Sequence, residues 1–421
     1  MKFIIILKIC LLLLVSIPQL QADFISESTT QFMNAPSMVI PRMNHHIIVD
    51  EDDEVTVFAG HGVGFRSLDS AEYYQTQGDD FVVLNMLHKH DDPAFVRLAN
   101  GEYLIMGGSR DWGIPHYSHT QIYNPETREF RSGGDLVRFR AGSGSALLNN
   151  GQVLVVGAWW THNTAHTYGE VYDPVTNTFS STSAFAIRRS HPIVIGLKDG
   201  RGIVFGGVTE SGIRVDMPVE VFDPISGQIS TLQALMFEDE PGWNVVKSKR
   251  LNETHLLDEH LYLFTAWKQT DNYNEYRLFT FNADTLDFEW VETSALPTSE
   301  SIHLFDHPFI SENKQAAYQL GTIAESDLKG QFVMVSVNLI DGKVYLSEHS
   351  FDAKYGLYGA AGILLQGDKI LVTGGTSDGS NFNPVANSFY VQTMSFEDDT
   401  EPEDPKAKKR RGLPVWLYIE Q

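Results

Sequence analysis

The chain has 421 residues, enough for one large domain or about two to three ordinary ones. Its 54 acidic side chains outnumber its 31 basic ones, which gives a formal net charge of −23 at pH 7. Such a chain repels nucleic-acid phosphates and anionic lipid, so we expect no nucleic-acid partner.

The first 22 residues have the pattern of a secretory signal peptide, because Lys2 and Lys8 flank an apolar run and Ala22 follows a polar break. An uncleaved anchor is the alternative. No later segment approaches the roughly 20 apolar residues of a membrane span, so we expect none after signal removal and a secreted or periplasmic product. The single cysteine, Cys10, lies in this segment. The exported chain would therefore have no disulfide, thiolate metal site or cysteine nucleophile.

From residue 55 onward, an apolar run that ends in two small residues recurs seven times. The runs are "VTVFAG" ending at Gly60, "YLIMGG" at Gly108, "VLVVGA" at Ala158, "GIVFGG" at Gly207, and the weaker "LYLFTA" at Ala266, "AAYQLG" at Gly321 and "ILVTGG" at Gly375. An aromatic residue follows most pairs inside a second strand-like run: Tyr74, Tyr123, Tyr172, Phe222, Phe281 and Tyr390, with Val337 in the sixth copy. Turn residues and a further apolar strand then complete each unit, which predicts four short antiparallel strands.

A period of roughly 50 residues is that of kelch repeats, and the chain resembles the kelch β-propeller family over nearly all of its mature length. The motifs are clear in units two, three, four and seven and degraded in units five and six. Of the tryptophans that the family carries on the last strand, Trp290 is retained, whereas Phe130 and Phe179 take its place elsewhere. The resemblance implies an all-β fold, a seven-bladed β-propeller of four-stranded antiparallel blades over residues 23–396.

The two ends of the propeller region suggest how the ring closes. The last unit stops after its third strand, and residues 29–35 precede any complete blade. We therefore expect the N-terminal strand to supply the missing fourth strand, and the recurrent aromatics to pack between blades. Residues 397–421 are acidic, then basic, then apolar. They are predicted to form a charged linker and a short apolar tail, or else a sorting or processing element.

Loops that join the second to the third strand of a blade share one face of a propeller with the linkers into the first strands, and this face is the predicted ligand site. Trp, Tyr and His side chains suit the apolar faces and hydroxyl edges of sugars, or a peptide groove. The loop candidates are Trp112, His116, Tyr117, His119, Trp159, Trp160, His162, His166, Tyr168 and Trp267. Some of these aromatics could instead cap the core.

The linkers into the first strands contribute cationic candidates: Arg42, Arg140, Arg189 and His191. Together they could form a basic funnel at the axis that holds a carboxylate or sulfate group of a ligand. The alternative is that each arginine pairs with an acid from the next blade.

Neither a metal nor another cofactor is predicted. The spacings "HYSH" and "HNTAH" suit metal binding on a helix, but both lie in loops. Copper-dependent sugar oxidases with a related propeller use a tyrosine cross-linked to cysteine, which a mature chain without cysteine cannot form. The sequence also has no clear catalytic triad, phosphate loop or carboxylate pair.

The sequence thus predicts an exported propeller that acts as a recognition module for a glycan or another extracellular or envelope ligand. One alternative is a carbohydrate-active enzyme such as a sugar mutarotase, an activity of some exported bacterial kelch propellers. It would need an acid/base pair near the axis. Another alternative is a protein-interaction scaffold that binds its partner through the aromatic loops.

Overall fold

The computed structural model describes residues 25–26, 30–50, 53–75, 80–111, 116–159, 167–209, 218–232, 242–245, 256–269, 274–293, 302–304, 308–323, 331–350, 358–376 and 382–393. Within these ranges the chain forms 32 strands in seven sheets and no helix. The sheets are the blades of a seven-bladed β-propeller, so the predicted fold class is confirmed. The proposed signal peptide and the tail at 397–421 lie outside the described residues.

The strands of each blade follow one another along the chain, after two N-terminal strands. These two are β1 (Ile25–Ser26) and β2 (Gln31–Ala35). Blade 1 contains β3 (His46–Val49), β4 (Val55–Phe58), β5 (His61–Gly62), β6 (Arg66–Gln75) and β7 (Asp80–His90). Blade 2 contains β8 (Ala94–Arg97), β9 (Tyr103–Met106), β10 (Thr120–Asn124) and β11 (Glu129–Ser132). Blade 3 contains β12 (Gly144–Leu147), β13 (Val153–Val156), β14 (Tyr168–Asp173) and β15 (Thr178–Ala184).

The second half of the ring repeats this order. Blade 4 contains β16 (Ile193–Gly196), β17 (Gly202–Phe205), β18 (Glu220–Phe222) and β19 (Ile229–Thr231). Blade 5 contains β20 (Asn244–Val245), β21 (Leu256–Asp258), β22 (Leu261–Gln269), β23 (Asn274–Asn282) and β24 (Phe288–Trp290). Blade 6 contains β25 (Ile302–Leu304), β26 (Phe309–Ile310), β27 (Ala316–Ile323), β28 (Gln331–Asn338) and β29 (Val344–Ser350). Blade 7 contains β30 (Ala361–Leu365), β31 (Lys369–Thr373) and β32 (Ser388–Gln392).

The N-terminal strand β2 closes the ring, as predicted. It runs antiparallel to β32, with Phe32 opposite Val391, and completes the four strands of blade 7. The sequence did not predict the role of β1, which pairs in parallel with β29 of blade 6. A hydrogen bond from Ser347 Oγ to Thr30 Oγ1, 3.1 Å long, adds to this contact. The N-terminal region thus contacts blade 6 through β1 and Thr30 and blade 7 through β2.

The hydrophobic core lies between neighbouring blades. Tyr123 and Tyr172, two of the recurrent aromatics, are each 1% exposed. The ring centroid of Tyr123 in blade 2 lies 4.8 Å from that of Phe58 in blade 1. Phe130 and Phe179 occupy the positions of the family tryptophan. The ring centroid of Phe130 lies 4.9 Å from that of Tyr123, and the ring centroid of Phe179 lies 4.8 Å from that of Tyr172. The prediction of packing between blades is confirmed, since each sheet covers the faces of its neighbours.

The glycine pairs are explained by the close approach of two linkers, the one that enters the same blade and the one that enters the next. Gly107 and Gly108 have φ angles of +64° and +111°. A Cβ atom on Gly108 would lie 2.9 Å from the backbone nitrogen of Asp91, and one on Gly107 would strike the carbonyl oxygen of Arg140. Only glycine satisfies both the left-handed backbone and this contact. The pairs thus fix where the linkers lie at the axis, where the first strand β12 contacts the first strands β8 and β16.

Within the described ranges, no helix has the length and apolarity needed to cross a bilayer.

Candidate functional site

The three candidate arginines are buried in ion pairs inside the blades that their linkers enter. Arg140 is 1% exposed, and its Nε lies 2.8 Å from Oε1 of Glu170 on the third strand of blade 3. The same pairing joins Arg42 to Glu72 in blade 1, at 2.7 Å, and Arg189 to Glu220 in blade 4, at 2.6 Å. Burial lowers the pKa of all three arginines, and the paired glutamates oppose the shift.

Each pair also satisfies backbone groups at fixed places. Nη1 of Arg140 donates to the carbonyl of Gly157 at 3.0 Å, and Arg42 and Arg189 make the same bond at the end of their second strands. Glu170 accepts the backbone N–H of Val137 at 2.7 Å, and the other two glutamates accept the N–H at the same linker position. These guanidinium groups hold the blades together, so we do not include them in the candidate site. Arg42, Arg140 and Arg189 are therefore not exposed at the axis as the predicted basic funnel requires.

Blade 2 replaces the charged pair by a neutral one. His90 occupies the arginine position, and its Nδ1 lies within hydrogen-bond distance of the carbonyl of Gly107. Gln121 occupies the glutamate position and accepts the backbone N–H of Leu87 at 2.8 Å through Oε1. Burial lowers the pKa of His90 to about 4, so His90 is neutral near pH 7. Both positions thus differ from those of blades 1, 3 and 4, and this pair carries no charge near pH 7.

A residue with a left-handed backbone lies two positions before the first strand in five blades. These residues and their φ angles are Asn44 at 54°, Asp92 at 54°, Gly142 at 62°, His191 at 52° and Gly359 at 73°. Backbone hydrogen bonds link them across blades, from His191 N to Gly142 O at 2.6 Å and from Gly142 N to Asp92 O at 3.1 Å. Left-handed non-glycine residues are strained and often occur at functional sites. Asp92 and His191 are held in this way at the inner ends of blades 2 and 4.

Asp92 is the centre of a hydrogen-bonded group that joins three blades. Its Oδ2 atom lies 2.6 Å from Nε2 of His191 and accepts the indole N–H of Trp159 at 3.0 Å. The rings of Trp159 and His191 are 5.4 Å apart and nearly perpendicular. Gly142 makes this contact possible, because a Cβ atom there would lie 2.6 Å from His191 Nε2 and closer still to the indole. Asp92 is 6% exposed and Trp159 36%, so a polar group lies beneath an accessible aromatic ring.

A second buried pair adjoins this group through the peptide bond between Asp91 and Asp92. His61 Nδ1, from blade 1, lies 2.9 Å from Asp91 Oδ1, and the two side chains are 0% and 4% exposed. Nε2 of His61 is buried and has no hydrogen-bond partner among the described residues. A proton on Nε2 would thus be an unsatisfied donor, so the hydrogen bonds favour the tautomer with the proton on Nδ1. The ring of Phe65 lies 4.4 Å from that of His61.

We use the name axial cluster for His61, Asp91, Asp92, Trp159 and His191. Burial lowers the pKa of His116, and the charge of Asp92 opposes this shift. Because Asp92 acts on it in this way, His116 lies near the axial cluster. Burial likewise raises the pKa of Tyr117, whose phenol interacts with Ser67. Of the candidates from the sequence, the structure therefore brings Trp159, His191 and His116 together.

Two other candidates lie in separate contacts. His119 stacks on His88 with ring centroids 4.6 Å apart, and its Nδ1 lies 3.7 Å from Asp135. Tyr168 packs against the guanidinium of Arg138, 4.8 Å from its ring centroid. No described contact joins either of them to the axial cluster.

Trp267 lies on β22 in blade 5, opposite Asn244. Trp112, Trp160, His162 and His166 lie outside the described residues.

Three members of the axial cluster were not predicted from the sequence: His61, Asp91 and Asp92. Asp91 and Asp92 occupy positions that are Ala141 and Gly142 in blade 3 and Ser190 and His191 in blade 4. The change from small or neutral residues to two acids was the available signal. Unlike the arginine–glutamate pairs, which recur in three blades, these contacts occur once and cross blade boundaries. They are therefore not a requirement of the repeat.

The described residues contain no group of three or more His, Cys, Asp or Glu side chains that could hold a metal ion.

No family model and no curated protein matches the sequence significantly. Among solved structures, the chain is similar to a fungal alcohol oxidase of the AA5 family in complex with copper, with a TM-score of 0.63. The sequence identity is 14%, and the match covers 86% of this chain and 75% of the oxidase. At this identity the likeness concerns the fold, and the kelch relationship remains a resemblance of motifs.

The copper of that oxidase does not fit the donor groups described here. The described residues hold no three-ligand group, and the single cysteine, Cys10, lies outside them in the proposed signal peptide. We therefore derive no step through copper for this chain.

Proposed function

We propose that this chain is an exported recognition module that binds a glycan on the axial face of the propeller. Trp159 would stack on the apolar face of a sugar ring, while Asp92 and His191 would bond its hydroxyl groups. Export is proposed from the signal-like pattern of residues 1–22.

The observation that carries this proposal is the contact of Asp92 with both Trp159 and His191, at 3.0 and 2.6 Å. An indole that is 36% exposed and fixed by a buried carboxylate is a rigid aromatic surface with a polar edge. Sugars bind surfaces of this composition because their C–H faces are apolar and their edges carry hydroxyl groups. Rigid placement also lowers the entropy lost on binding.

A glycan array with the wild type, Trp159→Ala and Ile225→Ala tests the proposal. Ile225 is 93% exposed on a turn of blade 4, and its replacement controls for a general loss of surface apolarity. We expect the wild type and Ile225→Ala to retain the same glycans and Trp159→Ala to lose them. Absence of any binding by the wild type, or equal binding by Trp159→Ala, would contradict the proposal. A protein captured through Trp159 in the absence of glycan binding would favour the scaffold alternative.

A second candidate function is acid/base catalysis on a sugar, such as anomer exchange. The observation in its favour is the short contact of Asp92 with His191, with His116 nearby. Carboxylate and imidazole groups within hydrogen-bond reach can move a proton to or from a reacting hydroxyl. Exchange between anomers, followed by NMR, should then exceed the buffer rate and fall to that rate in Asp92→Asn. A rate at the buffer level with the wild type would dismiss this candidate.

A further inference from the structure

The charge at the axial face differs from that of a site for anionic ligands. Arg42, Arg140 and Arg189 are 0–2% exposed and bonded to their glutamates. Arg138, in the linker that carries Arg140, instead contacts the ring of Tyr168 and Ser181 Oγ. The carboxylates that the structure places in the axial cluster belong to Asp91 and Asp92, which are 3% and 6% exposed.

The groups around these two carboxylates do not reverse their charge. Asp91 bonds to His61 Nδ1, and the buried Nε2 of the same ring has no hydrogen-bond partner in the described ranges. In the tautomer that these contacts favour, with the proton on Nδ1, Nε2 is an acceptor on the far side of the ring from Asp91. An acceptor that is buried without a partner is costly unless a ligand or solvent donor reaches it. The indole N–H of Trp159 and Nε2 of His191 already contact Asp92. The groups of the cluster that can accept a further hydrogen bond are thus Asp91, Asp92 and Nε2 of His61.

From this arrangement we propose that the axial cluster selects uncharged or amino sugars and rejects uronic acids and sulfated sugars. The inference rests on the proposed function above and adds the class of the ligand. Hydroxyl and ammonium groups are donors that Asp91, Asp92 and His61 Nε2 can accept. A carboxylate or sulfate brings acceptors only, and it adds negative charge beside two carboxylates that are shielded from water, where like charges repel strongly.

The first test needs no ligand. The chain contains seven tryptophans, so the difference in fluorescence between the wild type and Trp159→Phe isolates Trp159. We expect caesium ions to quench this component more than iodide ions do, with acrylamide as the neutral reference. The preference for caesium should shrink in the Asp91→Asn, Asp92→Asn double variant. Asp135→Asn, whose side chain is 63% exposed near His119, is the matched control and should leave the preference unchanged.

Either of two results would overturn the inference on this measurement. One is that iodide quenches Trp159 as well as caesium does. The other is that the preference of the double variant is the same as that of the wild type. Both results leave the proposed function open, because a glycan could still bind to a site without this charge preference.

The second test uses tetrasaccharides of β-1,4-linked glucose, glucosamine and glucuronic acid, which share the ring and the length. Titration calorimetry with the wild type at low ionic strength should show binding of the first or second about tenfold or more tighter than of the third. Asp92→Asn should reduce this ratio, and Asp135→Asn should not. Equal or tighter binding of the glucuronic acid chain would overturn the inference while supporting the proposed function. Absence of binding by all three, together with an empty glycan array, would overturn both.

Discussion

Nε of Arg140 lies 2.8 Å from Oε1 of Glu170 inside blade 3, and neither side chain is more than 1% exposed. The same pair holds blades 1 and 4, whereas blade 2 has His90 and Gln121 in its place. We call the contact between these two positions the internal joint of a blade. It is charged in blades 1, 3 and 4 and neutral in blade 2. Because both members differ together in blade 2, we expect removal of both charges to cost less stability than removal of one.

Glu170→Gln should destabilise the protein by about 3–5 kcal/mol, because it leaves the guanidinium of Arg140 buried without its counter-charge. The double variant Arg140→His, Glu170→Gln copies the neutral joint of blade 2 and should recover much of this loss. Denaturant unfolding of the two single variants and the double variant measures the coupling. Losses that simply add in the double variant would show that the two side chains act independently.

Stability should fall with acid through His90. Its pKa is lowered to about 4 in the fold, against an unfolded value near 6.5. The folded state therefore prefers the neutral ring, so this contribution is complete above pH 6.5 and is lost as the pH falls toward 4. The loss amounts to roughly 3 kcal/mol.

Unfolding of the wild type and His90→Gln across this pH range isolates the contribution, because other groups titrate equally in both. The wild type should lose more stability than His90→Gln as the pH falls from 7 to about 4. Parallel curves of unfolding free energy against pH would mean that protonation of His90 does not destabilise the folded state, which would contradict the prediction.

Deletion of residues 23–38 should abolish cooperative unfolding. The deletion removes β2, the fourth strand of blade 7, and the two residues of β1 that pair with blade 6. An open ring exposes both edges and the apolar faces of blade 7. Thermal unfolding followed by circular dichroism should lose its single sharp transition. A melting transition that is unchanged after the deletion would refute closure by this segment.

Gly142→Ala should damage the axial cluster more than it damages the fold. The residue has a φ of +62°, and a new Cβ would strike Trp159 and His191. Gly151→Ala is the matched control, since Gly151 has a φ of +84° and nothing within 4 Å of a new Cβ. Both variants should lose about 1 kcal/mol of stability to backbone strain. Only Gly142→Ala should also change the fluorescence of Trp159 and abolish ligand binding. Equal effects of the two variants on binding would contradict the contact.

The fold was predictable because its signal is repeated. The apolar run with its small-residue pair occurs seven times, so the clear copies identify the repeat although those in blades 5 and 6 are degraded. The missing last strand of blade 7 indicated that the N-terminal strand completes it. The added strand β1 is two residues long and carries no pattern of its own. Short parallel pairings of this kind depend on where the chain passes, which local sequence does not encode.

The candidate site was predictable only in part. Trp159 and His191 stood out by residue type, whereas Asp91 and Asp92 are two of 54 acids and gained meaning only from their place at the axis. The arginines were included in the predicted site because arginine is suited to anion binding. Their burial against glutamates could not be read from residue type alone. Glu72, Glu170 and Glu220, each two residues before a recurrent aromatic, were the signal for their pairing.

The central claim is that the axial cluster is the ligand site of this propeller. A crystal structure with a glycan retained on the array tests it most directly. We expect a sugar ring packed on the indole of Trp159, with a hydroxyl group within hydrogen-bond distance of Asp92 or His191. A glycan bound at the outer rim, such as the groove lined by Ser181, Ser183 and Gln228, with the axial cluster untouched, would contradict the claim.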